Sequence, residues 1–119
     1  MNLNSVLIGS ENPQRLVEYY GRLFGKPEWN DGGYVGWRIG SGGVVVGPHD
    51  QVTGSNPQPG RIIWNIESPD VRGDFERLKA AGAAVVQEPY NPAEPAAAEA
   101  LIATFSDPDG NYFQLVSPM

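Results

Sequence analysis

Hydrophobic and polar positions along the chain form two similar series, each of which predicts a strand, a helix and three further strands. In the first series, residues 3–9 predict a strand, and Asn12 and Pro13 predict the N-cap and the first residue of a helix. The apolar stripe of this helix comprises Leu16, Val17, Tyr20, Leu23 and Phe24. Glycine-bounded strands are predicted next, around residues 28–30, 34–39 and 43–47.

The second series follows a polar stretch and repeats the same order. Residues 61–67 predict a strand, and Ser68 and Pro69 predict the start of a helix that ends at Gly82. The apolar stripe of this helix comprises Val71, Phe75, Leu78 and Ala81. The next four segments are predicted as a strand, a proline-rich loop, a short helical turn and a strand, at residues 83–88, 89–95, 96–100 and 101–105.

The second series ends in a predicted hairpin over residues 105–116. Asp107-Pro108-Asp109-Gly110 supplies its turn, because proline presets one turn position, the aspartates can bond nearby backbone amides and glycine accepts a positive φ. After the turn, alternation places Tyr112, Gln114 and Val116 on one face of the strand. Gln114 is therefore a single polar residue in the middle of an apolar strand.

The two series can be superimposed residue by residue. A shift of 56 places residues 5–13 on residues 61–69, and a shift of 70 places residues 44–48 on residues 114–118. The cap, the helix stripe and the last strand agree, so the sequence predicts two tandem βαβββ units. We expect one domain spanning residues 1–119, composed of a first unit, a connector and a second unit at about residues 1–48, 49–59 and 60–119.

This repeat predicts a fold of the α+β class. In each unit, one helix must cover one face of a four-stranded sheet with its apolar stripe, which leaves the opposite face uncovered. Strand twist curls such sheets. We therefore expect two curled mixed sheets around a shared cleft, with the helices on the outside.

Composition narrows the classes of partner and compartment. The 119 residues contain no cysteine, which excludes disulfides and thiolate metal sites. The formal net charge of −6 argues against a nucleic acid or an anionic membrane as partner. No apolar run approaches the roughly 18 residues of a membrane span. The first residues lack a signal-peptide pattern, so we expect a cytoplasmic protein.

Characteristic segments occur in both units. The first unit carries Ser5–Ile8, Asn12–Pro13, Val17–Tyr20 and Leu23–Gly25, and the second carries Arg77–Gly82 and the more specific Phe105–Leu115. These segments resemble the vicinal oxygen chelate superfamily, which contains glyoxalase I, extradiol dioxygenases, fosfomycin-resistance enzymes and bleomycin-resistance proteins. The resemblance covers essentially the whole chain. It implies the same paired βαβββ plan, and it implies a homodimer.

Enzymes of that superfamily bind a divalent metal with His, Glu or Gln side chains from the first and last strands of each unit. The resemblance places these positions at Ser5, Val44, Arg61 and Gln114. Only Gln114 is a suitable ligand, because Val44 has no donor atom and Arg61 is cationic. We therefore expect no metal and no cofactor. The single histidine, His49, follows the strand of Val44 and is predicted to be an exposed loop residue.

The resemblance also assigns faces to aromatic and polar residues. Trp64 is expected to face its own helix. An apolar cleft with a few polar points suits a flat organic ligand. The residues predicted to bind that ligand are Ser5, Leu7, Trp37, Arg61, Ile63, Asn65, Tyr112 and Gln114. No catalytic residue is predicted, since turn chemistry accounts for Asp107 and Asp109.

Three functions remain open at this point. The first is a metal-independent protein that binds a small organic molecule, such as an antibiotic, in the manner of the bleomycin-resistance proteins. The second is a glyoxalase-like lyase or another enzyme of the superfamily, with Arg61 anchoring an anionic substrate and Gln114 or Tyr112 positioning it. The third is a non-catalytic interaction subunit. The missing metal ligands favour the first of these over an enzyme.

Overall fold

Each half of the chain folds as a βαβββ unit, which confirms the predicted fold class. A computed structural model describes residues 1–92 and 100–118 and divides the chain into units Met1–Ser55 and Asn56–Met119. The boundary falls inside the polar connector predicted at 49–59. Most of the helical turn predicted at 96–100 lies outside the described residues.

Unit 1 consists of one helix and one four-stranded sheet. Its elements are β1 (Ser5–Ser10), α1 (Pro13–Phe24), β2 (Trp29–Asp31), β3 (Tyr34–Ile39) and β4 (Gly42–Pro48). The strand order is β1-β4-β3-β2. Strand β1 runs parallel to β4, whereas β4 with β3 and β3 with β2 are antiparallel. The long connection through α1 is what allows β1 and β4 to run parallel.

Helix α1 begins at Pro13, as predicted, but its preceding turn is held differently. The side chain of Asn12 makes no capping hydrogen bond, and the hydroxyl of Ser10 instead accepts one from the Asn12 amide at 3.0 Å. The buried side chains of the helix are Leu16, Tyr19, Tyr20 and Leu23. Gly25, at φ 86°, ends the helix and donates its amide to the Gly21 carbonyl at 3.0 Å.

The core of unit 1 lies between α1 and one face of the sheet. Val35 and Trp37 of β3 and Val44 and Val46 of β4 are buried there. The indole of Trp37 packs against Tyr20 with ring centroids 6.1 Å apart. The indole nitrogen donates a hydrogen bond of 2.9 Å to the carbonyl of Gly25, which offsets the free-energy cost of burying this polar group.

Unit 2 repeats this arrangement after a short 3₁₀ turn at Pro59–Arg61. Its elements are β5 (Trp64–Glu67), α2 (Val71–Ala80), β6 (Ala84–Tyr90), β7 (Ile102–Ser106) and β8 (Tyr112–Val116). The strand order is β5-β8-β7-β6, with β5 parallel to β8 and the other pairs antiparallel. The 3₁₀ turn ends at Arg61, and Ile62 and Ile63 lie between it and β5, so β5 begins three residues later than the predicted strand at 61–67.

Helix α2 begins two residues later than the sequence predicts. Asp70 is the N-cap, and its carboxylate accepts a hydrogen bond of 3.0 Å from the Gly73 amide. The predicted cap, Ser68, lies two residues before Asp70 and is buried. Its hydroxyl accepts from the Asp70 amide at 3.1 Å and donates to the Asp74 carboxylate at 2.6 Å. Ser68 therefore holds the turn that leads into the helix.

The core of unit 2 is built on a stack of aromatic rings. Phe105 packs between Phe75 of α2 and Phe113 of β8, with centroids 5.3 Å apart in both pairs. Trp64 stacks on Phe113 at 5.0 Å, on the helix side of the sheet as predicted. The phenylalanines are fully buried, so this stack is the apolar centre that α2 covers.

The turn between β7 and β8 is held by one buried carboxylate. Asp107 accepts hydrogen bonds from the amides of Asp109 and Asn111 at 2.9 and 3.0 Å and from the Asn111 side chain at 3.0 Å. This confirms the predicted role of Asp107. Asn56, at the start of the unit, joins the same turn by donating its amide to the Asp109 carbonyl at 2.8 Å and its side chain to Asn111 at 3.1 Å.

Candidate functional site

The face of each sheet that is turned away from the helix of its own unit is called here the open face. Side chains alternate along a strand, and residues paired between neighbouring strands share a face. In unit 1, the buried Val44 and Val46 face α1, so Val45 lies on the open face. In unit 2, the buried Phe113 and Leu115 face α2, so Gln114 lies on the open face.

Two aromatic rings lie against glycines on the open face of unit 1. The indole of Trp29 occupies the position that a Cβ atom on Gly36 would take, and the ring of Tyr34 does the same at Gly47. The Tyr34 hydroxyl donates a hydrogen bond of 3.3 Å to the Pro48 carbonyl. The absence of side chains at these glycines is therefore what lets both rings lie close to the sheet.

The middle of this face is apolar from one edge of the sheet to the other. Four residues are paired in line across the four strands, and we call them the apolar row: Leu7, Val45, Gly36 and Trp29. Leu7 is 56% exposed, which is high for a leucine in a regular strand. The row thus presents an apolar strip bounded by an indole.

The middle of the open face of unit 2 has the opposite character. Four uncharged polar residues are paired in line across its strands, and we call them the amide row: Asn65, Gln114, Thr104 and Gln87. The Gln114 side-chain amide donates a hydrogen bond of 3.1 Å to the Thr104 hydroxyl. Thr104 is only 6% exposed, so this bond satisfies a buried polar group.

The structure places most of the predicted ligand-binding residues on the two open faces. Ser5 and Leu7 alternate with the helix-facing residues of β1 and lie on the open face of unit 1. Asn65, Tyr112 and Gln114 lie on the open face of unit 2. Ile63 is half-buried and immediately precedes β5.

The predicted placement of Trp37 in a ligand cleft is wrong. Trp37 is 1% exposed and belongs to the core beneath α1. Alternation along β3 allows either face for Trp37. The prediction assigned it to the open face, whereas the structure places it on the face that α1 covers. Trp29 and Tyr34 lie on the open face of unit 1, and neither is among the residues predicted to bind the ligand. A usable signal was present, because Gly36 and Gly47 leave space on that face for large neighbouring rings.

The predicted position of Arg61 on the first strand of unit 2 is also wrong. Arg61 closes the 3₁₀ turn, and its guanidinium donates hydrogen bonds of 2.6 and 3.1 Å to the Gln58 side-chain oxygen. Pro59, with its fixed φ, favours this turn over an extended strand. The arrangement gives no support to Arg61 as an anchor for an anionic substrate.

The donor set at the family's metal positions does not fit a divalent metal. Val44, carried over by the repeat, is fully buried under α1, and the residue at the matching open-face position is Val45, which also lacks a donor atom. Within residues 1–92 and 100–118, no three His, Cys, Asp or Glu side chains lie close enough together to hold a metal ion. Gln114 is a weak ligand by itself.

His49 lies beyond the end of β4, as predicted. Its side chain is 45% exposed. Its ring nitrogen Nδ1 accepts a hydrogen bond of 3.2 Å from the Gln51 amide and lies 3.7 Å from an Asp50 carboxylate oxygen. The Cβ atom of His49 approaches Gly9 closely, at the end of β1. These contacts are those of a loop histidine that closes a tight turn.

Two hollows in unit 2 lie away from the amide row. One, of about 350 Å³, is at the start of α2 and is lined in part by Asp70, Arg72 and Ser117. The other, of about 270 Å³, lies between α2 and β6 and is lined in part by Phe75 and Glu88. Neither contains a residue predicted to bind a ligand, so the open faces remain the candidate sites.

Comparison with protein families gives one match that spans both units. The sequence model of the family described as "Glyoxalase-like domain" matches residues 5–116. A comparison with curated proteins gives no significant match. No helix in the described part of the chain is both long and apolar enough to span a membrane.

Solved structures with the same fold include three whose names concern glyoxalase or antibiotic resistance. A glyoxalase-related enzyme from Fulvimarina pelagi is 17% identical, with a TM-score of 0.73 over 99% of this chain and 88% of that chain. A glyoxalase/bleomycin resistance protein/dioxygenase family enzyme from Burkholderia phytofirmans PsJN is 18% identical, with a TM-score of 0.72 over 100% of both chains. A fosfomycin resistance protein from Listeria monocytogenes is 15% identical, with a TM-score of 0.64 over 100% of this chain and 93% of that chain. At these identities the likeness concerns the fold.

Proposed function

This chain belongs to the glyoxalase-like domain family, and from that membership we propose that it binds a small organic molecule on the open faces of its sheets without a metal ion. The observation that carries the proposal is the pair of aromatic rings, Trp29 and Tyr34, laid against glycines on the open face of unit 1. Rings held flat in this way offer a stacking surface whose conformation is fixed before the ligand arrives. Such preorganisation reduces the entropy lost on binding.

The chemistry of the apolar row suits a flat, weakly polar ligand. Leu7, Val45 and Trp29 offer apolar surface, and burial of such surface contributes about 25 cal/mol per Å². Ring stacking adds about 1 kcal/mol per aromatic pair. A ligand of this kind would be held by shape and stacking, with no bond made or broken.

The donor set supports metal independence. Divalent metals in proteins are held by carboxylates, imidazoles or thiolates, usually three or four together. The apolar row supplies none of these groups, and the amide row supplies only neutral oxygen atoms. The proposed mechanism therefore runs through binding alone. Because solved relatives of this fold are named for resistance to bleomycin and fosfomycin, an antibiotic is included among the candidate ligands.

A fluorescence titration tests the binding proposal. The chain contains three tryptophans, of which Trp37 and Trp64 lie on the helix side of their sheets. A panel of flat aromatic antibiotics, added after treatment with a chelator, should quench the Trp29 emission in a saturable way. Trp29→Leu should abolish the quenching, whereas Leu3→Ala, a change at an exposed residue before β1, should leave it intact. Equal quenching in the Trp29→Leu variant would contradict the site.

Calorimetric titration with Zn²⁺, Ni²⁺, Mn²⁺ and Fe²⁺ tests metal independence. We expect no stoichiometric binding of any of the four ions. Stoichiometric binding that Gln114→Ala removes would overturn the proposal in favour of a metalloenzyme. Turnover of a methylglyoxal–thiol adduct by the metal-loaded protein would overturn it in favour of the lyase.

We also propose that the chain forms a homodimer in the cytoplasm. Support for the dimer comes from β6, the edge strand of unit 2, where Val85, Val86 and Tyr90 are 38%, 45% and 45% exposed. Edge strands are normally protected by charge or by cover, and apolar side chains on them favour association. Sedimentation equilibrium should give twice the chain mass, and Val86→Lys should shift the equilibrium toward the monomer. A monomer at all concentrations would contradict the proposal.

A further inference from the structure

The amide row is a continuous line of neutral hydrogen-bonding side chains. Asn65, Gln114, Thr104 and Gln87 come from β5, β8, β7 and β6, which lie in this order across the sheet. Neighbouring strands are about 4.8 Å apart, so the row is about 14 Å long. No member of the row carries a charge. The nearest charged residue on the same face of β5 is Glu67, which is exposed and lies one position farther along the strand's open face.

Part of the hydrogen-bonding capacity of this row is used within the protein. Gln114 donates one N–H to Thr104, and Gln87 donates one N–H to the Glu88 carbonyl at 3.1 Å. A carboxamide has two N–H donors and an oxygen that accepts two bonds. Gln114 thus keeps its carbonyl oxygen and a second N–H available. Within the part of the chain that the structure describes, the side chain of Asn65 has no hydrogen-bond partner.

The bond to Thr104 also fixes the orientation of the Gln114 amide. A donor–acceptor pair that is already oriented loses little entropy when a ligand binds. Asn65 stands directly opposite Gln114 on the parallel strand β5, at the spacing of paired residues. Two carboxamides are therefore presented side by side, one of them held in place by a buried hydroxyl.

We propose that the amide row binds a neutral molecule that carries carboxamide groups, which is a deeper statement of the ligand-binding function and rests on it. A ligand carboxamide offers a donor and an acceptor side by side, as the Asn65 and Gln114 side chains do, so paired N–H···O bonds can form in both directions. Anions find no cation on the row, because all four of its side chains are uncharged. Cations find no carboxylate on it. The selectivity of the row is therefore for neutral polar groups.

Nuclear magnetic resonance titration of the full-length chain tests this assignment with two matched probes. N-acetylglycinamide is neutral and carries two carboxamides, and N-acetylglycine differs by one terminal carboxylate. We expect N-acetylglycinamide to shift the side-chain NH₂ signals of Asn65 and Gln114 in a saturable way, and N-acetylglycine to bind more weakly. Because the bonds are between neutral groups, raising the salt to about 0.5 M should leave the affinity unchanged.

Variants localise the effect to the row. Gln114→Leu and Asn65→Leu should each weaken N-acetylglycinamide binding about fivefold, the value of one net hydrogen bond. Leu3→Ala, a change at an exposed residue before β1, should leave it unchanged. Asn65 is exposed, so its replacement keeps the test valid even where Gln114→Leu disturbs folding.

Three outcomes would overturn the assignment: no shift at the two NH₂ groups, tighter binding of N-acetylglycine, or unchanged affinity in both leucine variants. These failures are separate from failure of the ligand-binding proposal. Antibiotics could quench Trp29 while N-acetylglycinamide leaves the NH₂ signals of Asn65 and Gln114 unshifted. That result would support binding at the open face of unit 1 and contradict the carboxamide assignment. If neither experiment gives a signal, both fall.

Discussion

The apolar row and the amide row occupy equivalent positions in two units with the same strand order, yet they share no residue type. Pairing across the strands matches Leu7, Val45, Gly36 and Trp29 in unit 1 with Asn65, Gln114, Thr104 and Gln87 in unit 2. The helix sides do not differ in this way, since Val44 and Val46 are replaced by the equally apolar Phe113 and Leu115. The duplicated backbone thus preserves its core chemistry and leaves the open face free to vary. The proposed ligand-binding function is assigned to that variable face.

The largest expected effect separates the two tryptophans on opposite faces of unit 1. Trp37→Ala removes a buried indole and its bond to Gly25, and should cost about 4 kcal/mol of unfolding free energy. Trp29→Ala changes only the half-buried open face and should cost about 1 kcal/mol. Urea-induced unfolding, followed by circular dichroism, measures both. Equal losses would mean that the faces of β2 and β3 are assigned wrongly.

The next effect tests what holds the amide row in register. Asp107→Ala removes the carboxylate that binds the amides of the β7–β8 turn, and should cost about 3 kcal/mol because buried N–H groups lose a charged acceptor. The β3–β4 hairpin of unit 1 turns through Gly40 and Ser41, and Ser41 is exposed. Ser41→Ala should therefore change stability by less than about 0.5 kcal/mol. A comparable loss in both variants would remove this contrast between the hairpins.

A third variant tests the glycines beneath the aromatic rings. Gly36→Ala places a methyl group where the Trp29 indole lies, and should cost about 2 kcal/mol and weaken ligand quenching, because the ring must move off the sheet. Gly42→Ala is the matched control. A Cβ atom at Gly42 meets only the Asn4 carbonyl oxygen, at an ordinary 3.5 Å. Thermal unfolding and Trp29 quenching of both variants should differ accordingly, and identical behaviour would contradict the contact.

The smallest effect concerns the hydrogen bond within the amide row. Gln114→Val leaves the Thr104 hydroxyl without its partner and should cost about 1 kcal/mol. Adding Thr104→Val to that variant should then cost nothing further, or restore stability. The double-mutant cycle measures the coupling directly. Strictly additive losses would show that the two side chains do not interact.

The sequence was sufficient for the fold because the buried pattern repeats in both halves. Neighbouring residues determine the order of strands and helices, the apolar stripe of α2 and the hydrogen bonds of Asp107, so these features could be predicted from the sequence. The predicted start of α2 was two residues too early. Ser68, Asp70 and Asp74 all make side-chain hydrogen bonds at the start of the helix, and the sequence alone does not show which of them is the N-cap.

The face on which each strand residue lies was harder to predict, because an alignment error of one residue moves every side chain of a strand to the opposite face. Ile8 pairs with Val46 and Ile66 with Leu115, so the true offsets between units are 58 and 69. The shift of 70 aligned Gly40 with Gly110. In unit 1 the turn encloses two residues, because Ile39 pairs with Gly42. In unit 2 it encloses three, because the Asp107 amide donates to the Asn111 carbonyl. The shift of 70 was therefore one residue too long, and it matched Gln114 with Val44 in place of Val45. Trp37 was misplaced by choosing between two faces that alternation alone makes equivalent.

The link between Asn56 and the last hairpin also determines when unit 2 becomes complete during synthesis. Its side-chain bond to Asn111 spans 55 positions and closes the unit end to end. The chain emerges from the ribosome N-terminus first, so this closure waits until Asn111 has been made. Every strand of unit 1 ends by Pro48 and is available much earlier. The apolar row is therefore made before the amide row, which needs β8 (Tyr112–Val116) to be complete.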